Sequence, residues 1–260
     1  MEKEIYEKII AKKDFSYLPK CDVEKIYSLF DKPRFLLEEK IKLTRDLLRK
    51  VFSVFTSEKI LNPKILEKKS AQEILKKHIS TRERFDFYLE LYEKLLKDFY
   101  SKTFSIIDLG AGINGLSYSF FNDLKLNVNY LGVEAVGQLV ELMNSYFEQN
   151  KFNAKAIFES LFNLERIKEI ILSQKIPRVV FLFKAVDSLE MVERNYSKKL
   201  LEEIVPLADR VVVSFATRSL VSKKKFNVKR YWFENFVKEN FKILDDFEIG
   251  GERYLVFCKN

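Results

Sequence analysis

Histidine, cysteine, tryptophan and glycine are scarce in this 260-residue chain, and each scarcity removes some chemistry. The single histidine, His78, excludes any mechanism that needs two, including that of the zinc-protease helices. Two cysteines, Cys21 and Cys258, cannot build a disulfide framework or a four-ligand zinc site. No other ligand cluster suggests a metal, and none is expected. Glycine is absent from the first hundred residues, which read as a string of helices punctuated by Pro19, Pro33 and Pro63. Nor does any apolar run approach the roughly 18–20 residues of a spanning helix. The opening MEKEIYEKII has no signal-peptide core, so a cytoplasmic chain without a membrane partner is expected.

What is present is a well-filled interior and a basic surface. At 47% hydrophobic and 32% charged, the chain can build a proper core. Lysine and arginine exceed aspartate and glutamate by 46 to 38, a formal charge of +8 that hints at a polyanionic partner. The location of that charge says more. Residues 35–55 place Leu36, Ile41, Leu43, Leu47, Leu48, Val51 and Phe55 on one broad apolar helix face. Lys42, Arg45, Arg49 and Lys50 run along one side of the same segment, as a solvated face or a surface for RNA. Arg218 to Arg230 holds six basic residues and no acidic one.

Beyond residue 100, strands and helices alternate. Phe104–Leu109, Asn129–Glu134, Lys155–Phe158, Arg178–Phe183 and Arg210–Phe215 read as strands. Helices are expected over Gln138–Gln149, Leu164–Ser173, Lys198–Ile204 and Tyr231–Glu239. The alternation predicts a parallel sheet, and Gly250-Gly251 between Lys242–Ile249 and Tyr254–Cys258 predicts a closing antiparallel hairpin. This α/β pattern resembles the class I S-adenosylmethionine-dependent methyltransferases: a Rossmann-like, seven-stranded, mostly parallel sheet ending in an antiparallel hairpin. An all-helical N-terminal extension over residues 1–78 and a methyltransferase domain over 79–260 are expected.

Three segments carry the expected chemistry. The first is Asp108-Leu-Gly110-Ala-Gly112-Ile-Asn114-Gly115, between a strand and a helix, where backbone can approach a nucleotide closely. Asp108 at the strand tip can accept from the ammonium of a bound methionine moiety, and Glu134 at the next strand's end can accept both ribose hydroxyls. The second is His78-Ile-Ser80-Thr81-Arg82-Glu83-Arg84. Ser80 and Glu83 read as a capping box that starts a helix at Thr81. On it Arg84 aligns with Tyr88, Leu91 and Leu95 and points inward, toward a ligand carboxylate that its planar fork can grip. A buried Arg–Glu pair is the other reading. The third is Ser214-Phe-Ala-Thr-Arg218-Ser219-Leu220, followed by Lys223, Lys224, Lys225, Lys229 and Arg230 with Phe226, Tyr231 and Trp232 nearby. Cations beside aromatics suit phosphate contacts with a stacked base, or form a merely solvated loop.

Together His78-x-Ser-Thr-Arg-Glu-Arg84, the Asp108–Gly115 loop, Lys184-Ala-Val-Asp-Ser-Leu-Glu190 and Ser214–Leu220 resemble the aminoglycoside-resistance 16S rRNA methyltransferases, which methylate N7 of a decoding-site guanine. The resemblance covers about residues 70–240. It implies S-adenosyl-L-methionine as cofactor, and ribosomal RNA or the small subunit as partner. It also implies direct displacement by the guanine N7 lone pair, with no general base. Arg84, Asp108, Gly110, Gly112 and Glu134 would hold the cofactor, with Glu159 beside the adenine. Lys184, Glu190 and Arg218 would line the nucleotide pocket, with Ser219 near. Departures exist: the family usually has proline at Gly115 and at Asp187, aspartate at Glu134, and glycines within Val221–Lys225. Methylation of another RNA, a small molecule or a protein, or a non-catalytic RNA-binding role, are the alternatives.

Overall fold

The computed structural model describes residues 1–53, 63–217 and 230–260. Its helical first part comprises α1 (Lys3–Ile10), α2 (Lys20–Phe30), α3 (Leu37–Leu48), α4 (Ala71–Lys77), α5 (Ile79–Arg82) and α6 (Tyr88–Leu96). The remainder alternates β1 (Thr103–Leu109), α7 (Ser119–Asp123), β2 (Asn127–Glu134), α8 (Gly137–Asn150), β3 (Ala154–Phe158) and α9 (Leu164–Leu172). It continues through β4 (Arg178–Phe183), α10 (Val186–Val192), α11 (Tyr196–Ile204), β5 (Arg210–Ala216) and α12 (Tyr231–Asn240), and closes with β6 (Lys242–Ile249) and β7 (Glu252–Cys258).

The strands form one sheet in the order β3-β2-β1-β4-β5-β7-β6. Every pairing among β1 to β5 is parallel, and β7 runs antiparallel to both β5 and β6. The class I methyltransferase architecture expected from the sequence is therefore present. Gly250 and Gly251 turn the final hairpin with φ of 62° and 79°, a region costly for residues with a Cβ.

Both sheet faces are covered, so the central strands read as unbroken apolar runs. Side chains two residues apart share a face. Phe104 and Ile106 of β1, and Val179, Phe181 and Phe183 of β4, join the cluster that includes Ile9, Phe15, Val23, Ile26, Leu48 and Leu75 of the helical part. Ile107 and Leu109, with Val180 and Leu182, face the opposite cluster under α9, α11 and α12. One continuous core thus joins residues 1–78 to the sheet. Gly137 fixes the contact: its N–H donates to the Tyr17 carbonyl at 2.9 Å, and a Cβ there would stand 2.4 Å from the Tyr17 ring.

Some expected local elements differ. The helix expected over 35–55 is regular over Leu37–Leu48 and widens into a π turn over Arg49–Ser53. The Ser80–Glu83 capping box does not form, because the Glu83 carboxylate accepts instead from Lys184 Nζ at 3.0 Å. The single helix expected from Thr81 is broken into α5, a 3-10 turn over Phe85–Phe87 and α6, with Arg84 between α5 and that turn. A capping box does head α4, where Ser70 and Glu73 bond reciprocally. Among the described residues no helix is long and apolar enough to cross a membrane.

Candidate active site

A cleft opens at the carboxyl ends of β1, β2 and β4, where open parallel sheets place their ligands. The glycine loop forms its floor. Gly110 and Gly112 have φ of 72° and 56°; a Cβ on Gly110 would touch Ala185 at 3.4 Å, whereas one on Gly112 would meet nothing within 4 Å. Gly112 therefore presents bare backbone to open space in the cleft. Gly115 serves packing instead, since a Cβ there would press on Phe147 at 2.7 Å and Met143 at 2.9 Å. The helix α8 packs tightly against the loop at that point, which accounts for glycine in the chain's Asn-Gly ending.

Glu134 ends β2 and lines the cleft. Its Oε2 accepts from Gly112 N and its Oε1 from Val136 N, each at 2.8 Å. Burial pushes this carboxyl above its usual value, and the backbone donors pull it back only in part. A carboxylate offers about four lone-pair sites, so each oxygen keeps one for a ligand.

Asp108 lies deeper. Its Oδ2 accepts from Asn114 Nδ2 at 2.8 Å and from Tyr130 OH at 2.7 Å, and its Oδ1 has no partner among the described residues. Burial raises its carboxyl, against the lowering effect of Asn114 and Tyr130. The residue that lines the cleft here is Asn114, so Asp108 meets it through Asn114 and not, as expected from its strand-tip position, directly.

Arg84 is buried while Arg82 is exposed, as the apolar spacing predicts. Its Nε and Nη2 donate to Glu252 at 3.3 and 3.0 Å, and its Nη1 to Asn114 Oδ1 at 2.8 Å. The guanidinium also lies 4.5 Å from the Phe183 ring centroid. Arg84 borders the cleft, but its fork grips a carboxylate of the chain itself.

Lys184 follows β4 with φ of 56°, strained for a residue with a side chain. Its N–H donates to Ser214 Oγ at 3.2 Å, and its Nζ reaches Glu83 at 3.0 Å and Glu252 at 3.2 Å. Asp22 and Glu134 line the cleft with two cations, Arg84 and Lys184, and Glu83, Asp108 and Glu252 stand just behind them. That balance favours a ligand bearing positive charge.

Residues 34–256 match the family model described as ribosomal RNA methyltransferase (FmrO). The chain belongs to that family. It is 27% identical over 207 residues to the 16S rRNA (guanine(1405)-N(7))-methyltransferase of Proteus mirabilis, covering 74% of this chain and 66% of the relative. It is also 30% identical over 207 residues to uncharacterized protein L179 of Acanthamoeba polyphaga mimivirus, covering 71% of this chain and 52% of that one. The chain thus spans about half to two-thirds of the length of these relatives. The fold is similar to the 16S rRNA methyltransferase RmtF in complex with S-adenosyl-L-homocysteine, with TM-score 0.80, 19% identity and 100% of both chains covered. It is likewise similar to the 16S rRNA methylase RmtB, with TM-score 0.77, 19% identity and 99% and 98% covered.

Within this FmrO-family chain several expected site residues have other work. Glu190 does not line the cleft: it accepts from Asn195 N at 2.7 Å and from Ser197 N at 2.9 Å, satisfying amides that have no intrahelical acceptor at the start of α11. Glu159 is also outside the lining, its carboxylate turned to Ser160 N, Asn163 and Arg166. Arg230 is held by Asp187 through both oxygens, at 3.0 and 2.6 Å, over the Phe215 ring. The family's usual proline at 187 could not make that pair. Arg45 clips the end of α1, donating to the Lys8 and Ile9 carbonyls, and Arg49 pairs with Asp46 at 3.0 Å. Lys42 and Lys50 are exposed. Lys8, Lys12, Lys42, Arg45 and Arg49 share a surface groove with Glu38 and Asp46. Arg218, Ser219, Lys223, Lys224, Lys225 and Lys229 lie outside the described residues.

Sequence reading missed Glu252, which heads the mostly buried strand β7 and pairs across 168 residues with Arg84. It also missed Asp22, a buried acid on α2 that lines the cleft. Neither has a local signal. His78 does line the cleft, its Nδ1 2.7 Å from Ser80 Oγ.

Proposed function

We propose that this chain transfers the methyl group of S-adenosylmethionine to N7 of a guanine in small-subunit ribosomal RNA. The observation that carries the reading is the meeting of Gly112 and Glu134 at the strand ends in a member of the FmrO family. The Proteus mirabilis relative, a 16S rRNA (guanine(1405)-N(7))-methyltransferase, supports the choice of base atom and RNA.

The donor set fits this cofactor. Gly112 leaves room for close approach, Glu134 keeps lone pairs for two hydroxyls, and the surrounding acids suit a cationic sulfonium. When bound, S-adenosylmethionine supplies an electrophilic methyl group. Guanine N7 carries a lone pair and no proton, so no side chain has to act as base. Glu134 and the Gly110–Gly112 backbone orient the donor. Asn114, backed by Asp108, and Arg84 border the methionine end. Lys184 stands at the tip of β4, where an incoming base would reach the methyl group. Rate then comes from alignment and a preorganised electrostatic wall.

RNA is held, in this reading, by the groove of Lys8, Lys12, Lys42, Arg45 and Arg49, with the exposed Lys50 next in sequence. Residues 1–78 serve as the RNA-binding extension, residues 79–260 as the methyltransferase domain, and the cytoplasm as the place of action. Labelled methyl transfer to isolated small subunits, naked 16S rRNA, total tRNA and a protein extract tests it. Label in 16S rRNA, with chain cleavage after reduction and aniline treatment marking N7, is the expected result. Label confined to protein or small molecules overturns the reading.

A further inference from the structure

Among the polar groups that the helical part brings to the cleft, Asp22 is one to which methyl transfer gives no work. Asp22, in the first turn of α2, is 1% exposed and lines the cavity. Its Oδ1 accepts from Ser160 Oγ, and that hydroxyl oxygen accepts in turn from Phe162 N at 3.0 Å. Its Oδ2 has no hydrogen-bond partner among the described residues. A buried carboxylate oxygen without a donor is costly, and a ligand N–H would relieve it.

Position narrows the ligand group. Glu134 ends β2, and Ser160 lies two residues beyond the end of β3, the next strand outward in the sheet. Asp22 therefore stands one strand past the place of the ribose, on the side away from the glycine loop of β1. The walls there are apolar: Ala135, Leu139, Leu161 and Phe162 line the same cavity. Apolar walls with one acceptor describe a slot for a flat heterocycle bearing an amino group.

We propose that Asp22 recognises the exocyclic amino group of the donor's adenine, accepting its N–H at Oδ2. The proposal rests on the cleft binding S-adenosylmethionine. It fills the role expected of Glu159, whose carboxylate is turned elsewhere. It also makes the helical part a builder of the donor site as well as a surface for RNA.

Calorimetric titration of the full chain with S-adenosylhomocysteine, and with its analogue carrying hydrogen in place of the 6-amino group, tests the assignment. The wild-type chain should prefer the amino ligand by roughly tenfold or more, the worth of one bond to a charged acceptor. In Asp22→Ala that preference should collapse to within about twofold, because only the acceptor of that amino group has gone. Asp22→Leu fills the same space without an acceptor and should behave alike, which covers an alanine variant that fails to fold. Equal binding of both ligands by the wild-type chain, or a preference kept in the variants, overturns the role of Asp22 alone. Binding of neither ligand by the wild-type chain overturns the donor reading itself, and the proposal with it.

Discussion

Glu252 accepts from both Nε and Nη2 of Arg84, at 3.3 and 3.0 Å, with neither side chain more than 3% exposed. The pair joins the closing hairpin to the segment ahead of α6, and Lys184 and Ser214 lean on the same carboxylate. Burial alone would raise this carboxyl. Arg84 and Lys184 outweigh that and hold it below its ordinary value.

Glu252→Ala should therefore be severe, leaving two cations near the cleft without a shared anion. A loss of about 3–5 kcal/mol is expected in urea unfolding. The sign with pH follows from the lowered carboxyl: ionised Glu252 adds stability at neutral pH, and the contribution fades as pH falls through its folded value, below 4.5. The gap between wild type and Glu252→Gln should narrow over that acid range.

Asp22 has the opposite sign. Burial raises its carboxyl from 3.8 to about 6, with Ser160 lowering it in part. The folded chain therefore binds this proton more readily than the unfolded chain, and ionising Asp22 opposes folding. Asp22→Asn should be the more stable protein at neutral pH, by about 3 kcal/mol at most. Its advantage should shrink as pH falls from about 6 toward 3.8. Thermal unfolding over a pH series checks this, and an advantage independent of pH would contradict the assigned cause.

The glycines separate packing from binding. Gly115→Ala drives a methyl group into Phe147 and Met143 and should cost about 1–3 kcal/mol of stability by overpacking. Gly112→Ala meets no neighbour, so its cost is that of the left-handed φ alone, about 1–2 kcal/mol. Its methyl group projects into the open cleft, and S-adenosylhomocysteine affinity should fall more than its stability does. Parallel unfolding and calorimetry on both variants separate the two effects.

The basic groove predicts a salt effect. Lys42→Ala combined with Lys12→Ala removes two cations for which no carboxylate partner is present within the groove's ion pairs among the described residues. The slope of log affinity for 16S rRNA against log salt should flatten by roughly 1–2. Arg230→Ala should change it less, since Asp187 already neutralises that guanidinium. Filter binding across salt concentrations measures both.

Elements built from neighbours in sequence were legible. Arg178–Phe183 is uninterrupted and apolar because both sheet faces are covered, and its bounds are as read. Spacing told Arg84 from Arg82, although the helix it assumed is broken between α5 and α6 and Arg84 is buried from the turn that joins them. The losses came from partners far apart in the chain. Glu83 carries a capping signature, yet Lys184, 101 residues away, offers it a full charge in a half-dry site. Asp22 reads as one polar residue in an amphipathic helix until Ser160, 138 residues on, meets it. The string around Glu190 implies a place in the nucleotide pocket, but its carboxylate answers the bare amides of a helix start five to seven residues downstream.

The close seat of Tyr17 over Gly137 has a practical consequence for chimaeras. A recipient protein carrying any side chain at that helix start would unseat the grafted leader and tilt α2 away from Ser160. Swapping residues 1–78 between relatives would then disturb the cleft that Asp22 lines as well. The two cannot be engineered as separate cassettes unless the glycine travels with the leader.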